Sequence, residues 1–164
     1  MYMSSGIDVW RGLKYAFLNA FAFIIPVFFY LHDATYAQTW LLFLGVFLFM
    51  IVTAVQTMQD SKINPNEQTS TLIFNSLKIT FAGIAICCLL SFLLLFIMVP
   101  GYLTHAGHTA KQLAGAPSVS KVDKTGGLSF EIFMTAIVGN LTVGAFAGLL
   151  VPFYTSANNN EQPD

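Results

Sequence analysis

The chain has 164 residues, of which 55% are hydrophobic and only 9% charged, with a formal net charge of -1. A soluble domain carries about a quarter charged residues, so this composition excludes an ordinary water-facing globule. The balanced charge leaves no basic footprint for nucleic acid and no Lys/Arg cluster for anionic lipid.

Four runs meet the requirement of about 20 mostly apolar residues for a membrane span: Leu13–Leu31, Trp40–Thr57, Leu72–Met98 and Ile132–Tyr154. None has a carboxylate in its central turns. In hydrocarbon the backbone must satisfy its own hydrogen bonds, and the alternation of a β-barrel strand is missing, so helices are predicted. The expected fold is all-α: an antiparallel four-helix transmembrane bundle, with 1–164 as a single integral membrane domain.

The first run has Arg11 and Lys14 at its start and precedes Thr35-Tyr36-Ala37, which resembles a weak leader-cleavage site. Its apolar stretch is longer than a leader core and the second run begins at once, so it is read as a span. Pro26 removes one backbone bond and predicts a kink. The short link His32–Gln38 predicts a tight antiparallel hairpin with the second span. Met58–Thr71 connects spans two and three, with Asn64-Pro65-Asn66 as its turn. The third span is the longest, and Lys78 near its start is expected to snorkel outward. Cys87 and Cys88 are adjacent, point in different directions on a helix and read as small apolar fillers.

A long loop, 101–130, separates spans three and four. Gly115-Ala116-Pro117 and Gly126-Gly127 are its breakers, Thr109–Leu113 a short surface helix, and Ser118–Gly127 irregular. The fourth span follows, and the polar tail Ala157–Asp164 is expected to be disordered.

Aromatic residues are sorted by polarity. All six Tyr and both Trp lie at or just outside the run ends (Tyr2, Trp10, Tyr15, Tyr30, Tyr36, Trp40, Tyr102, Tyr154), while most Phe fill the middles. An amphipathic ring is most stable at headgroup level, so this pattern marks a membrane boundary crossed repeatedly. With four spans, Arg11, Lys14, Lys62 and Lys78 fall on one side and Lys111, Lys121 and Lys124 on the other. The basic pair ahead of span one, with Asp33 after it, places both termini in the cytoplasm by the positive-inside rule.

The intramembrane polar residues are Asn19, Thr53 and Asn140, with Gln56 and Ser91 beside them. Hydrocarbon offers them no partner, so each must face the bundle. Counting from the run edges places Asn19 about 9 Å from the cytoplasmic side and Asn140 about 12 Å from the other. The two are thus expected at different depths, Asn19 near Thr53 and Asn140 near Ser91, as interhelical glue. Ala136, Asn140, Gly144 and Gly148 recur every four residues on span four, and Gly83, Cys87 and Ser91 make a matching stripe on span three. Small residues at that spacing let backbones approach closely, so these stripes are expected to pack on each other.

Little chemistry is encoded. His105 and His108 share a helical-turn spacing in the loop, but no third ligand stands in register, so they read as solvated histidines with no metal. Lys124-Thr-Gly-Gly lacks the upstream glycine of a phosphate loop. No nucleophile–base arrangement or haem motif occurs, and no cofactor is expected. The missing carboxylate or histidine at depth argues against a proton-coupled exchanger.

The stretch Ser76-Leu-Lys-Ile-Thr-Phe-Ala-Gly opening the third span, the long connector after it, and Glu131-Ile-Phe opening the fourth resemble a family of small four-helix membrane proteins of unknown function in Bacteroidota. The resemblance implies fold and membrane location across most of the chain, and no activity. The functional expectation is a non-enzymatic accessory, scaffold or assembly subunit of an inner-membrane complex. Its partners are the lipid bilayer and another membrane protein or further copies of itself. The alternative is an oligomeric channel or transporter subunit.

Overall fold

A computed structural model describes residues 9–33, 38–63, 67–99 and 127–159. The helices are α1 (Val9–Asp33), α2 (Trp40–Ile63), α3 (Thr69–Met98), α4 (Gly127–Met134) and α5 (Asn140–Asn159). A five-residue π turn, Thr135–Gly139, joins α4 to α5 into one continuous rod. Four segments are long and apolar enough to cross a membrane: Trp10–His32, Trp40–Ile63, Thr69–Met98 and Gly127–Tyr154. The chain is therefore an all-α bundle with the geometry of a multi-pass membrane protein.

Each helix outruns its apolar segment. α2 continues past Thr57 to Ile63, and α3 begins at Thr69, before Leu72. α4 starts at Gly127, inside the stretch expected to be loop, because Leu128 and Ile132 already bury one face of a helix. α5 runs to Asn159, so 157–159, expected to be disordered, are helical. Hydropathy reports the surrounding solvent, whereas helical hydrogen bonds continue wherever side chains find polar partners or water. The Asn64-Pro65-Asn66 turn, the histidine pair and the 109–113 helix lie outside the described residues. α1 runs through Pro26 without interruption, the ring buried against its neighbours.

Two antiparallel hairpins, α1/α2 and α3/span four, form the bundle. α1 packs most extensively on α3 and α2, and the fourth span on α2 and α3. Going round the bundle the order is therefore α1, α2, span four, α3. The side-by-side pairs α1/α3 and α2/span four run parallel, and sequence-adjacent α2 and α3 stand diagonally opposed. One end, here end A, gathers the start of α1, the end of α2, the start of α3 and the end of span four. End B gathers the opposite termini.

The outer surface is oily. Phe17, Phe21, Phe28, Phe43, Phe47, Phe81, Phe96 and Phe146 are all exposed. In water this would be an aggregation surface; in a bilayer it is the solvent-facing face. Trp10, Trp40 and Tyr154 lie exposed at the two ends as headgroup anchors. Lys78 snorkels toward end A, with its Nζ 5.3 Å from the centre of the Phe74 ring one turn back.

Candidate functional site

The interior changes character from one end to the other. Toward end B it is filled by Phe23, Val27, Tyr30, Leu42, Leu95 and Ile132, part of one apolar cluster. Toward end A it also buries the polar residues Asn19, Thr53, Gln56, Thr57, Ser61, Asn75, Ser76 and Thr80, beside apolar ones such as Ala16, Leu72 and Val151. These are the inward positions of their helices by 3.6-residue phase: Phe49, Thr53, Gln56 and Thr57 stack along one side of α2, and Ser76, Thr80 and Gly83 along α3.

At the mouth of end A, Arg11 Nη2 lies 3.1 Å from Asp60 Oδ1. Gln56 Nε2 donates to the other Asp60 oxygen at 3.3 Å. Tyr15 donates its phenolic proton to Gln59 Oε1. One turn deeper, Thr57 gives its single hydroxyl hydrogen to the Thr53 carbonyl at 2.8 Å. Its 3.0 Å contact with Ser76 Oγ then runs the other way, Ser76 donating across the bundle diagonal. Thr53 in turn donates to the Phe49 carbonyl at 3.0 Å.

Asn19 Oδ1 stands 3.5 Å from Thr53 Oγ1. A hydroxyl has one hydrogen, and the shorter bond to Phe49 takes it. The contact is therefore best satisfied with the amide turned so that its NH2 donates to the Thr53 oxygen. Asn19 also rests on Gly83, where a Cβ would come within 3.3 Å of the Asn19 Cβ and 3.4 Å of the Phe49 ring.

Asn140 meets α3 at Cys87, its Nδ2 4.0 Å from the sulfur, one turn before Ser91. Ser91 is fully buried, and its Oγ has no partner among the described residues. The two asparagines thus lie at the levels of Gly83 and Cys87, about 6 Å apart along α3. They stand at different depths, as expected, each on its own α3 neighbour.

The small-residue stripes pack as an offset pair. A Cβ on Gly144 would meet Thr80 Cγ2 at 2.4 Å, and one on Gly148 would meet Ser76 Oγ at 2.8 Å. The partners of the two glycines are thus Thr80 and Ser76, not Gly83, Cys87 and Ser91. All five lie on one face of α3, so the stripe is longer than the three residues read from sequence. Ala136 is buried in the apolar cluster toward end B.

End B carries a latch that sequence reasoning missed. Tyr30, placed by the aromatic pattern at the headgroup level, turns inward and is fully buried. Its hydroxyl donates to Glu131 Oε2 at 2.7 Å, across the other diagonal. The signal was available: Ala16, Ala20, Phe23, Val27 and Tyr30 share one helical face. Outside the bundle, an apolar groove of about 440 Å³ runs between α2 and span four, bordered by Phe43, Val46, Thr135, Val138 and Gly139.

Among the described residues no group of three His, Cys, Asp or Glu side chains is placed to hold a metal ion. The site can hydrogen-bond, orient and exclude. No protein-family model, curated protein or solved structure matches the chain.

Proposed function

We propose that the protein is a non-enzymatic accessory or assembly subunit of a complex in a bacterial inner membrane, acting through its helix faces and loops, with both termini in the cytoplasm. The observation that carries this reading is the apolar interior of end B. Phe23, Leu42, Leu95 and Ile132 fill it, and the Tyr30–Glu131 bond ties it across. Among the described residues, a single copy therefore offers no polar path from one side to the other. Arg11 and Lys14 at the head of span one support the orientation. The resemblance to small Bacteroidota membrane proteins bears on layout and location only.

The second reading, a subunit of an oligomeric channel or transporter, draws on the polar half of the interior at end A. Purification of the tagged full chain from native membranes in mild detergent separates the two. An accessory subunit co-purifies with one partner at fixed stoichiometry. A homo-oligomer that alone conducts in planar bilayers would overturn the accessory reading and establish the second.

A further inference from the structure

The inward face of α3 buries more hydrogen-bonding capacity than its protein neighbours fill. Asn19, Asn140 and Ser91 are each fully buried. Asn19 Nδ2, Asn140 Oδ1 and Ser91 Oγ have no partner among the described residues. Turning the Asn19 amide to serve Thr53 leaves its oxygen over in place of its nitrogen, so the count does not change. The Asn140 amide nitrogen approaches Cys87 at 4.0 Å, and sulfur is a weak acceptor.

These groups lie in succession along one face of α3. Asn19 reaches α3 at Gly83 and Asn140 reaches it at Cys87. Ser91 is one turn further on the same face. The whole stretch covers about 12 Å of helix. Phe49, Ile84, Leu95 and Ile132 of the apolar cluster surround it. The ionisable groups that pair inside the bundle, Asp60 with Arg11 and Glu131 with Tyr30, belong to its two ends.

The π turn contributes independently. It ends at Asn140, whose N–H bonds back to the carbonyls of Ile137 and Thr135. Such turns are rare and frequent at functional sites. Here the residue that closes the turn carries a fully buried amide.

A buried amide or hydroxyl left unpaired carries a desolvation cost. Water relieves that cost where two to four polar partners surround it. With the charged groups of the described residues held at the two ends, a charged ligand has no counterpart here. We infer that Asn19, Asn140 and Ser91 line a mid-membrane polar strip that takes small neutral molecules able both to donate and to accept hydrogen bonds, and that water molecules are its residents. The site is independent of whether the chain is an accessory or a pore subunit.

Cys87 is a built-in reporter, because its thiol touches Asn140. The full-length Cys88→Ala chain, in lipid nanodiscs, is transferred to D2O and the S–H stretch of Cys87 followed by infrared spectroscopy. The thiol exchanges at least tenfold faster than the slowest backbone amides. Asn140→Leu slows it at least tenfold, and lipid-facing Leu93→Ala leaves it unchanged. In equilibrium unfolding, a Ser91→Ala/Asn140→Leu double-mutant cycle gives a coupling of about threefold in the folding constant, the average for interhelical polar contacts in membranes. A thiol as protected as the slowest amides overturns the proposal, and so does a cycle that closes to additivity. Should Asn140→Leu fail to fold, exchange in the Cys88→Ala chain decides alone.

Discussion

Among the described glycines, Gly144 stands closest to its neighbour, and adding one methyl there tests the packing directly. A Cβ on Gly144 would lie 2.4 Å from Thr80 Cγ2 and 2.9 Å from Thr80 Oγ1. Carbon atoms in contact prefer about 3.5–4.0 Å, so α3 and α5 must part by roughly 1 Å or Thr80 must rotate. Thr80 is β-branched and enclosed, which leaves it few rotamers. Overpacking of this kind costs about 1–3 kcal/mol, and the severity of the overlap favours the upper part of that range. Gly→Ala in a helix returns about 1 kcal/mol through propensity. Gly144→Ala should therefore destabilise by a net of about 1–2 kcal/mol. Gly127→Ala, where a Cβ meets nothing within 4 Å, is the control. Reversible unfolding in mixed detergent micelles, followed by circular dichroism, measures both. Thr80→Ser removes the methyl that makes the closest contact and should recover more than half of the loss in the double variant. Equal stability for Gly144→Ala and Gly127→Ala, or no recovery with Thr80→Ser, would refute the assigned α3/α5 register.

The same assay tests three other contacts. Tyr30→Phe leaves the half-buried Glu131 carboxylate without its phenol and should cost about 1–3 kcal/mol, with Glu131→Gln in the Tyr30→Phe background restoring part of it; a neutral Tyr30→Phe would remove the end-B latch from the account. Coupling between Arg11→Gln and Asp60→Asn should stay below about 1 kcal/mol and shrink with added salt, since both side chains reach the interface. A salt-insensitive coupling would mean the pair is sealed from water. Thr57→Val should cost about 0.6 kcal/mol by removing the acceptor for Ser76, the typical size of such a bond in a membrane, and Ser76→Ala in that background should add almost nothing.

The four spans were legible because a bilayer imposes a length and a polarity that few other environments require. Their ends were not. The turn Met58–Lys62 is too polar for an apolar count, yet it stays helical because Asp60 has Arg11 and Gln56 to bond. That Gly144 and Gly148 mark a close approach was readable from their spacing. Their partners Thr80 and Ser76 were not, because a hydroxyl facing a glycine is chemically ordinary until the register is known. The order of helices round the bundle was also hidden. A short link predicts that two helices are antiparallel, but it does not say whether they lie side by side, as α1 and α2 do, or diagonally, as α2 and α3 do.

The π turn follows from the arithmetic of the fourth span. Leu128, Ile132, Ala136, Asn140, Gly144 and Gly148 are all buried, each four residues from the last. An α-helix advances about 100° per residue, so each four-residue step overshoots a full turn by roughly 40°. Across five steps the buried stripe would drift roughly 200°, turning Gly148 to lipid if Leu128 faced inward. A π turn accommodates about one extra residue and takes back close to half of that drift. It lies at Thr135–Gly139, midway along the stripe, so it divides the remaining drift between the two halves. Leu128 and Ile132 can then close the apolar end while Gly144 and Gly148 dock on Thr80 and Ser76. The same local widening lets the fourth span serve two different interiors, dry at one end and hydrogen-bonded at the other, without a break in the helix.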